Sequence, residues 1–217
     1  MLEIVHNPAT DVLNVIKIGG KLIENQELLD SFLKDFVQLK GPKILVHGGG
    51  NKATEVAGKL GFKTQMVDGR RITDKDSMEV ITMVYGGLLN KSIVAQLQGN
   101  KQNAIGLCGA DVNVLISRKR EVKDIDYGLV GDVVKVNTAF IKSLLKQEIV
   151  PVFSAISSTE DGVLLNTNGD SVASEIAIAM SNIYTTQLFY CSEKKGVLTD
   201  IEDENSVIPE LNSTNYQ

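Results

Sequence analysis

A regular alternation of short β-branched runs with longer helical patterns constrains the fold most. Strand-like runs include VLNVIKI (12–18), KILVH (43–47), EIVPVFSAI (148–156) and NIYTTQLFYCS (182–192). Helical periodicity separates them, as in ELLDSFLKDFVQLK (27–40) and NKATEVAGKLG (51–61). Such connections place strands parallel and cover both faces of the sheet with helices. We therefore predict an α/β fold, with ligands beyond the carboxyl ends of the strands.

The remaining pattern predicts more local features. Residues 77–97 form one long helical stretch, with a possible kink near Gly86 and Gly87, and residues 112–137 form one or two β-hairpins. Asn137 is predicted to cap the helix TAFIKSLLKQ. Either Asn168 or Asp170 is predicted to open the helix that follows.

Charge and composition exclude several classes of function. A net charge of −5 argues against a nucleic-acid-binding surface. No run of apolar residues approaches the roughly 18 needed to cross a membrane. Cys108 and Cys191 lie far apart without a CxxC pair, which is typical of a reduced, cytoplasmic protein.

Two predicted strands end in glycines and are followed by helices: IKIGG (16–20) and ILVHGGG (44–50). Glycines let the backbone approach a ligand, and N–H groups at a helix start attract anions. Neither stretch matches GxxxxGK[ST] or GxGxxG. A tight turn without a ligand is the alternative. Lys17, inside the first run, favours an anion site, although it could simply extend its ammonium group into water.

Two further clusters carry polar side chains at predicted turns. VDGRRITDKDSMEV (67–80) contains Arg70 and Arg71, which could bind a carboxylate or form a solvated pair. LLNTNGDSVASEIA (164–177) contains Asn166, Asn168 and Asp170 at a strand-to-helix junction. Helix capping explains at least one of these three, and an acid here could also pair with Lys17 or bind Mg²⁺. His47 is interpreted as structural rather than as a base.

The motifs together resemble the amino-acid kinase family. The resemblance runs in order through IKIGG, LVHGGGNKATEVAGKLG, VDGRRIT, MVYGGLLNKSIVAQL, IGLCGAD, LVGDVVKVN, IVPVFSAI and LLNTNGDSVASEIA. DGRRIT, the pair Asn90-Lys91, GLVGDVVKVN and NTNGD are similar to its acylglutamate branch. The resemblance implies an open three-layer α/β/α sandwich with a mainly parallel sheet and two lobes. Residues 1–183 would bind acylglutamate and dimerise, and residues 184–217 would begin an ATP-binding lobe.

The resemblance also implies a reaction and the residues that perform it. ATP would phosphorylate the side-chain carboxylate of an N-acyl-L-glutamate, acetyl or succinyl, in arginine biosynthesis, with Mg²⁺ held mainly by ATP. Lys17 would stabilise the transferring phosphoryl group, and Asp170 would orient the catalytic lysines. The remaining implied residues bind substrate (Gly49, Gly50, Arg71, Asn166) or nucleotide (Gly19, Gly20 and, in the segment SEKKGVL, Gly196). A homodimer is implied as well.

One departure from the family pattern concerns a second catalytic lysine, in a segment containing glycine and methionine. This sequence stops at SVIPELNSTNYQ and contains neither feature. We therefore expect the ATP-binding lobe to be truncated. The alternatives are another amino-acid kinase, with an aspartate, glutamate or nucleotide acceptor, and a catalytically inactive acylglutamate sensor.

Overall fold

The computed structural model describes residues 12–192, 196–200 and 202–210. Helices and strands alternate in this part of the chain, as the periodicity predicts. Their order is β1 (Val12–Ile18), α1 (Lys21–Glu24), α2 (Gln26–Gln38), β2 (Lys43–His47), α3 (Gly50–Lys59), β3 (Gln65–Val67), β4 (Arg70–Ile72), α4 (Lys75–Ile81), a π-helix (Thr82–Leu89), α5 (Asn90–Gly99), β5 (Ala104–Leu107), a 3₁₀ turn (Asp111–Asn113), β6 (Leu115–Lys119), β7 (Gly131–Val136), α6 (Thr138–Lys146), β8 (Val150–Ser154), β9 (Ile156–Ser158), β10 (Leu164–Asn166), α7 (Gly169–Met180) and β11 (Thr185–Cys191).

Five parallel strands form the central sheet, in the order β11-β1-β2-β8-β5. Successive side chains of β1 point to opposite faces, so this strand packs against helices on both sides. Ile16 and Ile18 belong to a core cluster that includes Leu33 of α2. Leu13 belongs to a second cluster with Ile176 of α7. The predicted α/β sandwich with a parallel sheet is confirmed.

The long helical stretch spans Lys75–Gly99, and its predicted irregularity falls in the π-helix, which contains Gly86 and Gly87. By length and composition alone, this stretch is apolar enough to cross a membrane. Its buried side chains lie in the core of the protein. Val84 clusters with Ile156 of β9, and Ile93 of α5 clusters with residues of the central sheet.

A second sheet has the order β10-β9-β6-β7. The pair β6–β7 is antiparallel and confirms a hairpin within residues 112–137. The predicted single strand 148–156 is wrong in one respect, because it divides into β8 in the central sheet and β9 in the second. Ala155 lies between them, and its carbonyl accepts a hydrogen bond from the N–H of Thr167. The chain thus changes sheets beside the polar segment that contains Asn166, Asn168 and Asp170.

The sequence pattern predicts only a turn around Arg70 and Arg71, whereas the structure has a small hairpin, β3–β4, at this place. Asp68 and Gly69 form its connection, with φ values of 48° and 71°. Asp-Gly is a favoured pair for a two-residue hairpin turn with positive φ at both positions. The hairpin brings Arg71 out of the predicted turn and into a strand.

The predicted boundary at residue 183 falls just before β11. This strand pairs with β1 along its length, from Val12–Thr185 to Ile18–Cys191. The division into two lobes, and the truncation of the second, stay predictions.

Candidate active site

Lys17 stands at the carboxyl end of β1 and meets the first turn of α7. Its Nζ lies 2.8 Å from Oδ1 of Asp170, and its side chain is 19% exposed. A Cβ on Gly19 would stand 2.9 Å from that Nζ. Because Gly19 has no side chain, the lysine can fold back along the loop instead of extending into water. The ion pair between Lys17 and Asp170, which a side chain at position 19 would obstruct, gives a structural reason for a lysine before the two glycines.

A second glycine loop follows β2 and lies beside the first. The N–H of Gly48 donates to the carbonyl of Ile18 at 3.2 Å, which holds the two loops together. Gly49 has φ of 154°, and a Cβ there would lie 2.3 Å from Cδ1 of Leu89. Within the described residues, the N–H groups of Gly49 and Gly50 have no hydrogen-bond acceptor in the protein. They are therefore available to an anion.

The start of α7 settles which polar residue caps the helix. Oδ1 of Asn168 accepts hydrogen bonds from the N–H groups of Asp170 (2.8 Å) and Ser171 (3.0 Å). Asn168 is thus the N-cap, and the carboxylate of Asp170 remains free to pair with Lys17. Asp170 is 52% exposed, so the ion pair faces the solvent side of the site.

The structure distinguishes the two adjacent arginines by burial. Arg70 is exposed, whereas Arg71 is 9% exposed. The guanidinium of Arg71 donates to the carbonyl of Gly50 (2.8 Å) and to the hydroxyls of Thr54 (2.7 Å) and Thr64 (3.0 Å). These bonds leave two of its five N–H donors. Arg71 therefore supports the glycine loop directly, a role that the sequence analysis missed.

Asn166 ends β10 opposite these loops. Its Nδ2 donates to the hydroxyl of Thr73 at 3.0 Å, and its backbone N–H donates to the carbonyl of Leu129. Both contacts cross between distant segments of the chain, so they hold the side chain of Asn166 in place.

These residues surround one cavity of about 530 Å³. Its lining contains all of the predicted site residues except one: Lys17, Gly19, Gly20, Gly49, Gly50, Arg71, Asn166 and Asp170. The lining includes three arginines and one lysine but a single carboxylate (Arg70, Arg71, Arg120, Lys17; Asp170). Arg120 pairs with Asp132 and Lys17 pairs with Asp170, so the excess positive charge comes from Arg70 and Arg71. The excess of positive charge and the free loop N–H groups make the cavity suited to an anionic ligand.

Gly196 is the exception. It lies beyond β11 and is exposed, and a Cβ at this position would stand 3.0 Å from Cγ1 of Val207. It does not line the cavity in the described part of the chain. Its predicted contact with nucleotide stays a prediction.

The cavity is also lined by residues that the sequence motifs do not predict as site residues. Tyr85, from the π-helix, is buried beside the glycine loop, and burial raises the pKa of its hydroxyl. Arg120 and Tyr127 line the other side, with the guanidinium carbon 5.9 Å from the ring centre. Their loop carried no motif from which this position could be predicted.

His47 is fully buried directly before the glycine loop. Burial is the main cause that lowers its pKa from 6.5 to about 4. The ring is therefore neutral near neutral pH.

Among the described residues, no group of three or more His, Cys, Asp or Glu side chains could hold a metal ion. Asp170 is the carboxylate that lines the cavity.

A sequence profile of the amino acid kinase family matches residues 13–217. The chain belongs to the amino acid kinase family. Membership of this family, together with the relatives described next, indicates a phosphotransferase that uses ATP and a small-molecule acceptor. The family resemblance carried by the motifs is confirmed.

The chain is similar to curated acetylglutamate kinases. It is 54% identical to that of Cytophaga hutchinsonii over 94% of this chain and 78% of the relative. It is 51% identical to that of Phocaeicola vulgatus over 94% of this chain and 80% of the relative. These similarities confirm the predicted resemblance to the acylglutamate branch.

Solved structures share the fold at lower identity. The protein smu.665 of Streptococcus mutans superposes with a TM-score of 0.71 at 24% identity, over 87% of this chain and 75% of that one. An N-acetylglutamate synthase of Neisseria gonorrhoeae, solved with coenzyme A and N-acetyl-glutamate, gives 0.75 at 21% identity, over 88% of this chain and 43% of that one. Both support the fold.

Proposed function

We propose that this chain carries out the ATP-dependent phosphorylation of the side-chain carboxylate of an N-acyl-L-glutamate, in arginine biosynthesis. The observation that carries the proposal is the position of Lys17. Its ammonium group is held by Asp170 beside two glycine loops, at the edge of a cavity with excess positive charge. The similarity to acetylglutamate kinases supports acetylglutamate as the acceptor, and succinylglutamate is the alternative to test.

The reaction places few demands on acid–base chemistry. A glutamate side chain has a pKa of about 4.3, so the acceptor is already ionised at neutral pH and needs no general base. The difficulty is to bring this carboxylate against a triphosphate and to stabilise charge during the transfer. Positioning and electrostatic stabilisation supply most of the catalysis in phosphoryl transfer. A site of fixed N–H groups and one ammonium group meets that demand.

Within the proposal, each cavity residue takes a role that fits its contacts. Lys17 stabilises the transferring phosphoryl group, and Asp170 orients Lys17 through their 2.8 Å contact. Gly19 and Gly20 lie along the nucleotide phosphates. Gly196, which does not line the cavity in the described part of the chain, is assigned to the nucleotide by the family resemblance alone. The acceptor side is formed by backbone donors and polar side chains: Gly49, Gly50, Arg71 and Asn166.

The proposal extends to the cation and to the state of the protein. Mg²⁺ bound by ATP and water would neutralise phosphate charge. We further propose a cytoplasmic homodimer without nucleic-acid or membrane partners, on the strength of the family resemblance.

The test is to trap the acyl phosphate with hydroxylamine. Purified protein is incubated with Mg-ATP and, in parallel, N-acetylglutamate, N-succinylglutamate, glutamate or aspartate. Hydroxamate from one acylglutamate supports the proposal and identifies the acyl group. Hydroxamate from glutamate or aspartate alone refutes it.

A matched pair of chains tests the predicted truncation. The 217-residue chain and a chain extended to the length of its relatives are assayed together. Activity of the extended chain alone would place the second half of the ATP site beyond Gln217. If neither chain forms hydroxamate but calorimetry shows that they bind an acylglutamate, the result would favour a catalytically inactive acylglutamate sensor.

A further inference from the structure

A series of polar side chains, of which His47 and Asn90 are buried, leads to the back of the glycine loop. Nδ1 of His47 lies 2.8 Å from the carbonyl oxygen of Gly48, and Nε2 lies 3.1 Å from Nδ2 of Asn90. Asn90 is 1% exposed, and its Nδ2 also donates to the carbonyl of Val152 at 3.0 Å. Its Oδ1 accepts from Nζ of Lys91 at 3.1 Å. The series therefore runs from Lys91 through Asn90 and His47 to Gly48.

These partners determine which nitrogen of His47 carries the hydrogen. Because Oδ1 of Asn90 accepts from Lys91, the amide nitrogen directs its two hydrogens to Val152 and to Nε2 of His47. Nε2 is thus an acceptor, and in a neutral ring the hydrogen lies on Nδ1. Nδ1–H then donates to the carbonyl of Gly48. Every polar side-chain atom of the two buried residues, His47 and Asn90, therefore has a partner.

The bond to Gly48 has a consequence for Gly49. The carbonyl of Gly48 and the N–H of Gly49 belong to one planar trans peptide, so they point in opposite directions. A carbonyl held by His47 therefore directs the N–H of Gly49 away from the ring. Gly49 lines the cavity, and its N–H has no acceptor among the described residues. Without the bond, a Gly-Gly peptide would rotate with little steric resistance.

We propose that His47 is a positioning residue that keeps the N–H of Gly49 directed into the cavity as a donor to an anionic oxygen. Lys91 fixes the orientation of the Asn90 amide, and this amide donates to Nε2 of His47 and so selects the Nδ1–H tautomer. The inference rests on the proposed function for the identity of the anion, which is the acceptor carboxylate or the transferring phosphoryl group. It gives a role to the Asn90-Lys91 pair, which otherwise lies outside the reaction.

Two substitutions of His47 separate positioning from packing. An asparagine nitrogen is as many bonds from Cα as Nδ1, so His47→Asn keeps a donor for Gly48. A glutamine amide is one bond longer and reaches Asn90 in place of Nε2, so His47→Gln loses the donor to Gly48. Leu33→Ala serves as the control, because Leu33 is fully buried in α2, its truncation lowers stability, and its side chain makes none of the hydrogen bonds of this network.

The measurements are the ring ¹⁵N shifts of His47, the Gly49 amide resonance, and dissociation constants for N-acetylglutamate and for inorganic phosphate. We expect an Nδ1–H tautomer and a Gly49 resonance that shifts when either anion is added. His47→Gln should weaken binding roughly tenfold or more, the usual effect of losing a hydrogen bond to a charged group. His47→Asn and Leu33→Ala should stay within about threefold of the wild type.

Several results would overturn the inference. The first is an Nε2–H tautomer of His47 in the ¹⁵N spectrum. The second is an equal loss of anion affinity in His47→Asn and His47→Gln, and the third is an unchanged anion affinity in His47→Gln. If the wild type binds phosphate but no acylglutamate, the proposed function fails, and the phosphate affinities of the variants still decide the role of His47. If it binds neither anion, the loop is not an anion site and both proposals are refuted.

Discussion

Mild acid is expected to destabilise this protein through the buried imidazole of His47. The folded protein holds the pKa of His47 at about 4, against 6.5 for the ordinary side chain. Between these values the unfolded chain binds a proton that the folded chain excludes. The stability associated with the neutral ring is therefore fully present above pH 6.5 and is lost as the pH falls towards 4.

The size of the loss follows from the difference between the two pKa values. At 1.36 kcal/mol per pKa unit, the full difference corresponds to about 3 kcal/mol, of which about 2.5 kcal/mol is lost between roughly pH 7 and 4.5. Two carboxylates with lowered pKa values, Glu55 and Asp74, contribute mainly below this range. The pKa of Glu55 is held at about 2 by Lys52 and Lys59, and the pKa of Asp74 is lowered by its hydrogen bonds to Ser77.

The assay is urea denaturation followed by circular dichroism at several pH values from about 7 to about 4.5. His47→Asn is the comparison, because it removes the titrating ring and leaves every other group, including His6, the same in both proteins. The wild type should lose about 2.5 kcal/mol more than the variant over this range. Parallel curves for the two proteins would refute the burial of a neutral imidazole at this position.

Four further substitutions test the site and its framework. Lys17→Ala should lower turnover at least about a hundredfold, since it removes a preorganised donor, and near-normal hydroxamate formation would disprove the role of Lys17. Gly19→Ala should lower turnover while the protein remains folded by circular dichroism, because its Cβ would stand 2.9 Å from Nζ of Lys17; unchanged turnover would show that the lysine can act from another position. Arg71→Lys should raise KM for the acylglutamate far more than KM for ATP, and equal changes would place the carboxylate contact elsewhere. Asn168→Ala should cost about 1 kcal/mol of stability, or about 2–4 °C in the melting temperature, through loss of the cap of α7, and an unchanged melt would contradict that assignment.

Local features were predicted well wherever a short stretch of sequence carries its own physical signal. The strand at 12–18 and the cap at Asn137 were correct, because β-branched runs and capping side chains act over a few residues. The pattern of residues 148–156 predicts a single strand, since the stretch is largely apolar. The structure divides this stretch at Ala155, whose carbonyl accepts a hydrogen bond from Thr167. The sequence of the strand itself gives no sign of that contact.

The residue types of the site follow from the sequence, and their geometry follows from the packing of the sheet. Glycines after two strands and a lysine at the end of β1 favour an anion site, because glycines let the backbone approach a ligand and the lysine adds a positive charge. Parallel pairing of β1 with β2 and the packing of α7 bring Lys17, Gly49 and Asp170 together. Burial separates Arg71 from Arg70, and a distant Asn90 selects the tautomer of His47. Such choices depend on contacts between segments far apart in the chain, which local patterns do not encode.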